Sequence, residues 1–596
     1  MGFFLTEVEV VKANQRDGTK YFGQFFALLA NFILIFLFLT DKKESTHHLA
    51  HFKMRSFLLL ILGLIYFQCQ SVKDEDPKFQ EALENGYLAH EGFKRCLDYV
   101  TAWLEFADPR SGLIPKNLTD SKDFWNAKDA AADNYPFMVL TASLLDKEMY
   151  NGSMMDILET EQRLTNRLNR LPDAWSFSKQ NFVSEEIDMD EIIFGSSEYV
   201  KDGLLSLTEY IGNTPWSDRM IGMVDDIWKN ATYETPFGMI PSKNVEVNGE
   251  LMQVLSRVYW MTGEEKYLDW AIRLGDYYLL GKNHPTRDSE VIRLRDHGCE
   301  IVSGLCELYL TTAFANSEKK AAYQPQIYEM LDRILEVGTN EDGLFYNQVN
   351  PITGEILDSG IADTWGYTFN AYYSVYMLDG HQPYKDALLK AFDNLHEYTF
   401  FDWERGSQDG YADAIESALN LYNRERVSSA REWIDSETQV MWSMQDSAHR
   451  SGTAVYRGNG ILEGWHGDGN FARTTIMYCL YKTMGTTISP WNENVYFGAV
   501  QDGEDLKVSI LSNEDWTGKI HFDYARHKQI FNLPLDYPRI NQFPEWFTVE
   551  PSKSYLVHFV HEGKTRRFTG IELIDGIEVI TDENIGFYLI VEPHVE

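Results

Sequence analysis

The sequence predicts a mainly α protein, an (α/α) toroid of six or seven helical hairpins followed by a C-terminal antiparallel β-sandwich. Three observations predict it. Apolar residues recur with helical periodicity from about residue 80 to residue 487. Amphipathic helices alternate there with almost wholly apolar ones such as Cys299–Phe314, and apolar helices need neighbours on most sides. Beyond about residue 490, short β-rich runs between turn residues replace the helices.

Many of the predicted helices pair as hairpins joined by short loops. The sequence has no strict repeat period, and this favours the toroid over a solenoid of helical repeats. The predicted helices are Ala82–Phe106, Asp129–Leu145, Met154–Leu171, Tyr199–Gly212, Ser217–Ala231, Leu251–Thr262, Glu265–Leu280, Cys299–Phe314, Ala322–Val337, Trp365–Leu378, Tyr384–Tyr398, Ala412–Tyr422, Ser428–Gln445 and Asn470–Met484. The predicted strands are Val495–Val500, Leu506–Leu511, Lys519–Tyr524, Trp546–Val549, Ser554–Val560, Gly570–Leu573, Glu578–Ile580 and Gly586–Val591.

Three regions follow: an N-terminal extension with a lipoprotein-type signal (1–69), a catalytic toroid (80–487) and a β-sandwich (490–596). The run from Met54 to Cys69 has the basic start and apolar core of a secretory signal. The arrangement resembles a bacterial lipoprotein signal with Cys69 as the lipidated first mature residue and Met54 as the true start, and the acidic run Asp74–Asp76 resembles the surface-export signal of Bacteroidetes lipoproteins. The alternative is a membrane anchor at Tyr21–Thr40, which is long enough to span a bilayer. Either arrangement places the body in the cell envelope, lipid-anchored to the outer membrane or periplasmic.

Composition excludes several functions. The formal net charge of −37 argues against nucleic acid, whose phosphates need a basic face. The five cysteines form no CxxC pair, and no P-loop, dinucleotide fingerprint or HExxH motif occurs. No cofactor or metal is predicted from a motif, although a scattered His/Asp site stays open. The membrane is predicted as a partner only through the lipid anchor.

Clusters of Asp, His, Trp, Tyr, Asn and Gly precede four of the predicted inner helices. A ring of helices with polar and aromatic groups at one set of ends makes a funnel, and such a funnel suits a carbohydrate. The clusters are Asp129–Tyr135, Asp296–Glu300, Asp363–Tyr367 and Gly464–Asn470.

The sharpest motif is Gly464–Asn470, followed by Arg473. Its glycines let the backbone approach a ligand closely. His466 could act as an acid or base, and Arg473 could pair with a carboxylate through two hydrogen bonds. The structural alternative is a glycine-rich helix start capped by Asp468.

The other clusters have the same two interpretations, a sugar site or capped helix starts and core residues. Arg295 and His297 could neutralise an anionic substrate; Trp365 could stack on a sugar, and Tyr367 could transfer a proton. Asp129 and Asp133, four residues apart, form a carboxylate pair that suits a glycosidase, cation binding or capping. Further candidates beside them are Asn134, Tyr135, Asp409, Asp413 and Glu416.

Three stretches carry a family resemblance: Trp125–Phe137, Gly464–Asn470 and Tyr537–Phe547. They resemble secreted toroid proteins of marine Bacteroidetes polysaccharide-utilisation systems, among them the oligosaccharide dehydratases of the ulvan pathway. The resemblance covers about residues 80–596. It implies that the substrate is an anionic oligosaccharide with a uronic acid at its non-reducing end, from which C5–H and the C4 hydroxyl are eliminated as water.

Such an elimination needs a group that neutralises the carboxylate, a base and an acid. We assign neutralisation to Arg473 or Arg295 with Asn134, and the base to His297 or His466. Tyr367 would be the acid, or the base for the other epimer. The remaining substrate-binding candidates are Tyr135, Trp365, Trp465 and Asn470.

Three rival functions stay open. An unsaturated glucuronyl hydrolase, also a toroid, would use Asp129 or Asp133 as its general acid/base. A polysaccharide lyase would expel a sugar instead of water from the same carbon. A non-catalytic glycan-binding lipoprotein would bind an oligosaccharide without changing it. Residue types alone do not separate water from sugar as the leaving group.

Overall fold

The structure, a computed structural model, describes residues 76–451 and 454–594, without the side chains of His297 and Ser451. The predictions for residues 1–69, including lipidation at Cys69, lie outside the described residues. The chain from Asp76 onward forms one compact unit. Among the described helices, none combines the length and apolar character that crossing a bilayer requires.

The helical part contains fifteen labelled helices within the described residues. They are α1 (Pro77–Leu104), α2 (Tyr135–Leu145), α3 (Met155–Thr165), α4 (Met189–Glu198), α5 (Ser206–Ile211), α6 (Pro215–Lys229), α7 (Val245–Thr262), α8 (Glu265–Gly275), α9 (Glu300–Ala315), α10 (Ser317–Gly338), α11 (Trp365–Asp379), α12 (Gln382–Asn394), α13 (Gln408–Tyr422), α14 (Ser428–Asp446) and α15 (Asn470–Lys482). π-Helical segments extend four of them, at Ala127–Asn134, Tyr150–Met154, Tyr199–Leu205 and Asp276–Leu280.

Seven inner segments of the described chain pack side by side in a closed ring. Their order is α2 with its π segment, the α4–α5 segment, α7, α9, α11, α13 and α15, and α15 returns to contact α2. The helices α1, α3, α6, α8, α10, α12 and α14 precede them one by one along the chain and form the outer layer. The result is an (α/α) toroid of seven hairpins.

Burial distinguishes the two layers in the way the sequence predicts. The inner helix α15 buries all thirteen of its residues. The outer helix α12 buries only Tyr384, Leu388, Ala391 and Phe392, which are spaced to lie on one helical face. Helix starts follow local chemistry: Asp76 caps α1 by accepting a hydrogen bond from the Lys78 backbone N–H at 2.9 Å.

Short antiparallel strands lie in the loops of the toroid. They are β1 (Phe124–Trp125), β2 (Asn166–Leu168), β3 (Leu171–Pro172), β4 (Trp175–Ser176), β5 (Asn181–Phe182), β6 (Tyr233–Thr235), β7 (Gly238–Ile240), β8 (Ile292–Arg293), β9 (Tyr346–Val349), β10 (Ile356–Ile361), β11 (Ala448–Ser451), β12 (Ala454–Arg457) and β13 (Leu462–Glu463). Short helical turns occur at Lys147–Met149, Asp296–Cys299, Leu395–Tyr398, Trp403–Arg405, Arg526–Gln529 and Gly570–Asp575.

Two antiparallel sheets form the C-terminal part. The strands are β14 (Thr487–Ser489), β15 (Val495–Asp502), β16 (Asp505–Ser512), β17 (Trp516–His521), β18 (Ser554–Phe559), β19 (Lys564–Thr569), β20 (Ile577–Thr581) and β21 (Phe587–His594). The five-stranded sheet has the order β15-β16-β21-β18-β19, and the three-stranded sheet has the order β14-β17-β20. The hairpin β15–β16 keeps one register from Val495 opposite Ser512 to Asp502 opposite Asp505.

The five-stranded sheet packs on the outer helix α1 with almost no space between the backbones. A Cβ atom on Gly498 would lie 2.2 Å from the Ala82 carbonyl oxygen, and one on Gly86 would lie 2.9 Å from the Phe497 carbonyl carbon. Only glycine allows two backbones to approach this closely. The sheets are therefore fixed to the toroid by backbone contact.

The segment 533–547, here called the plug, inserts into one end of the toroid. The Tyr537 hydroxyl donates to Glu307 at 2.9 Å, and the Arg539 guanidinium donates to Glu209 with Nε–Oε1 at 3.1 Å. The Asn541 backbone N–H donates to Glu416 at 2.7 Å. Because these partners lie on inner helices, the plug closes this end of the ring.

The predicted fold class is confirmed by the toroid and the antiparallel sheets. Two predicted strands are wrong. Trp546–Val549 has no strand ladder, and Gly570–Leu573 begins a short helix. The helix forms because Thr569 and Glu572 cap each other's backbone N–H groups in a capping box, a local preference that the apolar pattern conceals.

Candidate functional site

Polar clusters collect at the end of the toroid opposite the plug, where the inner helices begin. We call this region the cup. The π segment before α2, the turn before α9 and the starts of α11, α13 and α15 all contribute to it. Helix N-termini carry partial positive charge, which favours carboxylates and other anions here.

The motif Gly464–Asn470 lies directly on the start of α2. A Cβ atom on Gly467 would be 2.3 Å from the Asn134 side-chain nitrogen, and one on Gly469 would be 2.3 Å from the Asp133 carbonyl oxygen. Glycine is therefore required at both positions by close approach. The contact brings His466 to Asp133, although the two residues are 333 positions apart in the sequence.

His466 lies between two carboxylates. Its Nε2 is 3.5 Å from Asp133 Oδ2, and its Nδ1 is 3.5 Å from Asp468 Oδ1. Burial lowers the pKa of His466, but the carboxylates of Asp133 and Asp468 outweigh burial and raise that pKa to about 10. The ring is therefore an imidazolium at neutral pH, so it can donate a proton but cannot accept one.

Lys116 holds the neighbouring wall of the cup. Its Nζ is 3.0 Å from Asp129 Oδ2 and 4.1 Å from the centre of the Trp465 ring. The Asn117 side chain donates to the Trp465 carbonyl oxygen at 2.9 Å. Trp465 itself is 67% exposed, so its ring offers an open apolar face at the rim for a sugar.

Carboxyl groups from the turns before α11 and α13 line the other wall. Burial, followed by the nearby carboxylates Asp409 and Asp363, raises the pKa of Glu404 to about 7. Burial and Asp296 raise the pKa of Asp363 to about 6. Arg295 Nη2 lies 3.5 Å from Glu404 Oε1. At neutral pH Glu404 is therefore partly protonated and can donate a hydrogen bond, whereas Asp363 is mostly ionised.

A buried cluster forms the floor of the cup. Arg473 contacts Glu416 through Nε at 2.7 Å and Asp413 through Nη2 at 2.7 Å. The Tyr367 hydroxyl is 2.9 Å from Asp413 and 3.0 Å from Glu416. Asn470 accepts from Arg473 at 2.9 Å.

The Tyr367 phenol has one proton to donate and itself accepts from Arg473 Nη2 at 3.3 Å, so it satisfies only one of the two carboxylates unless the other carboxyl is protonated. Burial raises the pKa of Asp413 and of Glu416, which favours such protonation. Burial also raises the pKa of Tyr367 well above its ordinary value, so the phenol stays protonated. The charge of Arg473 is thus neutralised inside the protein. Arg473 stabilises the floor of the cup and does not present an unpaired positive charge to a substrate.

The structure brings most of the predicted site residues together and separates two of them. His466, Asn134, Asn470, Tyr367 and Arg473 belong to the cup and its floor, Arg295 lies on its wall and Trp465 on its rim. Trp365 is fully buried and meets Phe369, Phe392 and Trp433 edge-on. Tyr135 is buried, donates to the Met154 carbonyl at 2.6 Å and accepts from Trp216 at 2.9 Å. Neither Trp365 nor Tyr135 has a face for a sugar.

Three further predictions need correction. The predicted surplus of basic groups that would neutralise an anionic substrate is not found: among the described side chains of the cup, carboxyl groups outnumber basic groups, most of which are already paired. With its pKa raised to about 10, His466 fits the role of acid better than that of base. Asn134 has no exposed surface and accepts from the Tyr99 hydroxyl at 2.8 Å, so it positions the motif instead of touching a ligand. The backbone of His297 lies in the turn Asp296–Cys299, and its side chain lies outside the described part of the structure.

A metal ion at His466 would meet two obstacles. Asp129, Asp133 and His466 place ligand atoms within 4.8 Å of one another. However, a metal ion would have to displace the proton that the neighbouring carboxylates hold on His466, whose pKa they raise to about 10. In addition, Asp129 already binds Lys116. These residues fit proton transfer better than metal binding.

Sequence reasoning missed Lys116 and Glu404. Lys116 follows a turn and carries no periodic signal. Glu404 sits in Asp402–Gly406, a polar and aromatic cluster just before α13, so it repeats the pattern that marked the other four sites. Its backbone is in the left-handed region, with φ of 44°. Such strain in a residue other than glycine is typical of functional sites.

No protein-family model matches the chain, and no curated protein sequence matches it. Similar solved structures exist. One is an α-1,6-mannanase of glycoside hydrolase family 76 from Salegentibacter sp. HEL1_6, with 13% identity, covering 54% of this chain and 96% of that one, at a TM-score of 0.37.

A second is a family 76 mannosidase from Bacteroides thetaiotaomicron VPI-5482, with 14% identity over 65% of this chain and 98% of that one, at a TM-score of 0.35. A third is an unsaturated glucuronyl hydrolase from Bacillus sp. GL1, with 13% identity over 50% of this chain and 88% of that one, at a TM-score of 0.33. At such low TM-scores these similarities carry no argument, so the geometry of the cup alone supports a function.

Proposed function

We propose that the chain is an enzyme that cleaves a carbon–oxygen bond of an oligosaccharide by acid–base catalysis in the cup. One observation carries this proposal: His466 is held as an imidazolium between Asp133 and Asp468. An acid and a carboxylate base then lie side by side, within reach of one sugar ring. The exposed ring of Trp465 supplies a stacking surface at the rim.

In its finer form, the proposal is a dehydratase that acts on the uronic acid at the non-reducing end of an ulvan oligosaccharide. Asp133 removes the proton from C5, and the electron pair of that bond forms a double bond between C4 and C5. The C4–O bond breaks, and His466 protonates the departing oxygen, which leaves as water. The protons balance, because one is taken by Asp133 and one is given by His466.

The substrate carboxylate is held by hydrogen-bond donors instead of by a surplus of cations. Glu404 is partly protonated at neutral pH, and Arg295 lies beside it. A carboxylic acid that donates to a carboxylate forms a short, strong hydrogen bond. The convergent helix N-termini add a favourable field for the charge that develops in the transition state. These features support an anionic sugar in an acidic cup.

The acid-rich lining also favours a second candidate, an unsaturated glucuronyl hydrolase. Paired carboxyl groups with separated pKa values suit hydrolysis of a sugar bond. That enzyme would use Asp129 or Asp133 as its general acid/base, and its substrate would be the unsaturated product of the dehydratase.

Incubation with defined ulvan oligosaccharides separates these candidates. A dehydratase gives a product lighter by one water and a rise in the absorbance of the unsaturated uronate. A fall in that absorbance with release of a sugar would indicate the hydrolase, and shortening of intact polymer would indicate a lyase. Binding without any product would leave a glycan-binding protein and refute catalysis. The variant His466→Gln is the negative control.

We further propose that the mature protein begins at a lipidated Cys69 and lies outside the cytoplasm. The basic start, apolar core and acidic residues after Cys69 support this proposal. Mass spectrometry of the mature protein tests it, since an unmodified peptide that spans Cys69 would refute lipidation.

A further inference from the structure

Beneath the cup, three carboxyl groups converge inside the protein. Glu198 ends α4, Asp202 lies in the following π segment and Glu250 lies on α7. One oxygen of each lies within 4.8 Å of the others. All three residues are buried, with exposed fractions of 2%, 7% and 0%. None of them takes part in the chemistry proposed for the cup.

Glu250 provides a second observation, independent of the grouping. Both of its carboxylate oxygens are buried and have no hydrogen-bond partner among the described residues. A buried carboxylate without a donor costs several kcal/mol unless something else meets it. Its oxygen points at Glu198 and Asp202, so the missing partner lies between these three side chains.

Charge balance leads to the same place. Lys201 is the basic group within the cluster, and its Nζ already bonds Asp202 Oδ1 at 2.6 Å and also Glu300. Lys128, at the edge of the cluster, is paired with Glu191 at 2.7 Å. The buried carboxyls therefore outnumber the ammonium groups.

We propose that Glu198, Asp202 and Glu250 bind one divalent cation of the oxygen-preferring class, and that this ion is Ca²⁺. The donors are all carboxylate oxygens, which hard cations prefer over softer metals. Ca²⁺ accepts about six to eight oxygens in flexible geometry, and these side chains can supply about five besides the Asp202 oxygen that Lys201 holds. Mg²⁺ usually retains several waters, which a fully buried site does not favour.

The cation would support the floor of the cup without touching the substrate. Asp202 also accepts from the Asn541 side chain at 3.0 Å. The Asn541 backbone N–H donates to Glu416, which in turn contacts Arg473. The ion would thus connect α4 and α7 with the plug and with the floor, so its role is one of positioning.

Metal analysis of the full mature protein, purified without chelator, tests this inference. We expect about one Ca²⁺ per chain, a lower Tm after removal by EDTA and recovery when Ca²⁺ is added. The variant Glu250→Gln keeps the shape of the side chain and removes one ligand charge. It should weaken Ca²⁺ binding by more than about tenfold in calorimetric titration and abolish most of the Tm gain.

A matched control is Glu437→Gln on α14. Burial raises the pKa of Glu437 to about 7, but this residue lies outside the cluster, so Ca²⁺ binding should not change. The proposal is overturned if wild-type protein treated with EDTA binds no Ca²⁺ and its Tm does not change when Ca²⁺ is added. Protons would then balance the carboxylates, and Glu250→Gln would leave the Tm almost unchanged at neutral pH, because one neutral side chain replaces another. The wild-type titration decides even if the variant does not fold.

Discussion

The two ends of the toroid use the same charged residue types for different purposes. At the plug, carboxylates meet guanidinium groups: Arg539 pairs with Glu209, and Arg424 lies 3.1 Å from Asp536. At the cup, acids outnumber bases, and His466 is held between two carboxylates. Matched charges fix a structure, whereas a surplus of one sign shifts protonation into the range where chemistry occurs.

The pKa values express this difference. Burial raises the pKa of Asp536, but Arg424 and Arg539 outweigh burial and lower it to about 2. Burial and neighbouring acids raise the pKa of Glu404 to about 7. The presence or absence of a guanidinium partner therefore decides whether a buried acid is a permanent anion or a titrating group.

The largest effect is expected at His466. Replacement by Gln removes the acid, so kcat/KM should fall by about 10²–10⁴-fold while far-ultraviolet circular dichroism stays unchanged. A matched control is His558→Gln, because His558 pairs with Glu592 on the C-terminal sheet and should leave the rate unchanged. Normal turnover by the His466 variant would show that the surplus of acidic groups in the cup does not serve to hold a catalytic acid.

Breaking a matched pair at the plug should instead destabilise the fold. Arg539→Met leaves the buried Glu209 with the more distant Arg257, 3.7 Å away, and the free energy of unfolding should drop by about 3 kcal/mol. The double variant Arg539→Met with Glu209→Gln should recover much of this loss. Urea unfolding of the single and double variants measures both, and equal losses in the two would contradict a structural role for charge matching.

The pH dependence of stability should have opposite signs at the two ends. Glu404 has a raised pKa, so the native state binds more protons than the unfolded state between its ordinary value of 4.5 and about 7. Its contribution to stability therefore falls as pH rises through that window. Asp536 has a lowered pKa, so its contribution is present above its ordinary value of 3.8 and is lost as pH falls towards about 2.

Two substitutions separate these contributions by urea unfolding at mildly acidic and mildly alkaline pH. Glu404→Gln should stabilise the protein at alkaline pH and flatten the decline between about pH 4.5 and 7. Asp536→Asn should destabilise it at alkaline pH. If both variants shift the free energy of unfolding in the same direction at alkaline pH, the proposed difference between the cup and the plug is wrong.

The smallest effect on activity is expected at the rim. Trp465→Ala removes an exposed stacking surface, so KM should rise by roughly 3–10-fold, about 0.5–1.5 kcal/mol, with little change in kcat or stability.

Trp365→Ala should have the opposite effect, because that ring is fully buried. It should cost about 3–5 kcal/mol of stability. A rise in KM without loss of stability in Trp365→Ala would restore its predicted role in sugar binding.

Local patterns were sufficient to predict the layers of this fold. The one-sided burial of α12 follows from apolar spacing, and the burial of thirteen of the sixteen residues of α9 follows from its almost wholly apolar sequence. The same reasoning failed at Gly570–Leu573, because a capping box decided its conformation. It also placed polar clusters correctly at the starts of inner helices, since capping and glycine turns are local too.

The chemistry of those clusters could not be predicted in the same way. Trp365 and Trp465 are the same residue type in similar motifs, and only packing exposes one and buries the other. His466 is a cation because Asp133, far away in the sequence, meets it in the folded chain. Lys116 and Glu404 lie in the cup on loops that carry no periodic signal.

By itself the sequence determined the alternation of inner and outer helices, the change to strands near residue 490 and the residue types at the inner helix starts, because helix periodicity and turn chemistry act over a few residues. The tertiary structure decided which of those groups lie close together and which carboxyl meets a guanidinium. Protonation depends on burial and on charges within a few ångströms, and those distances exist only once the ring has closed.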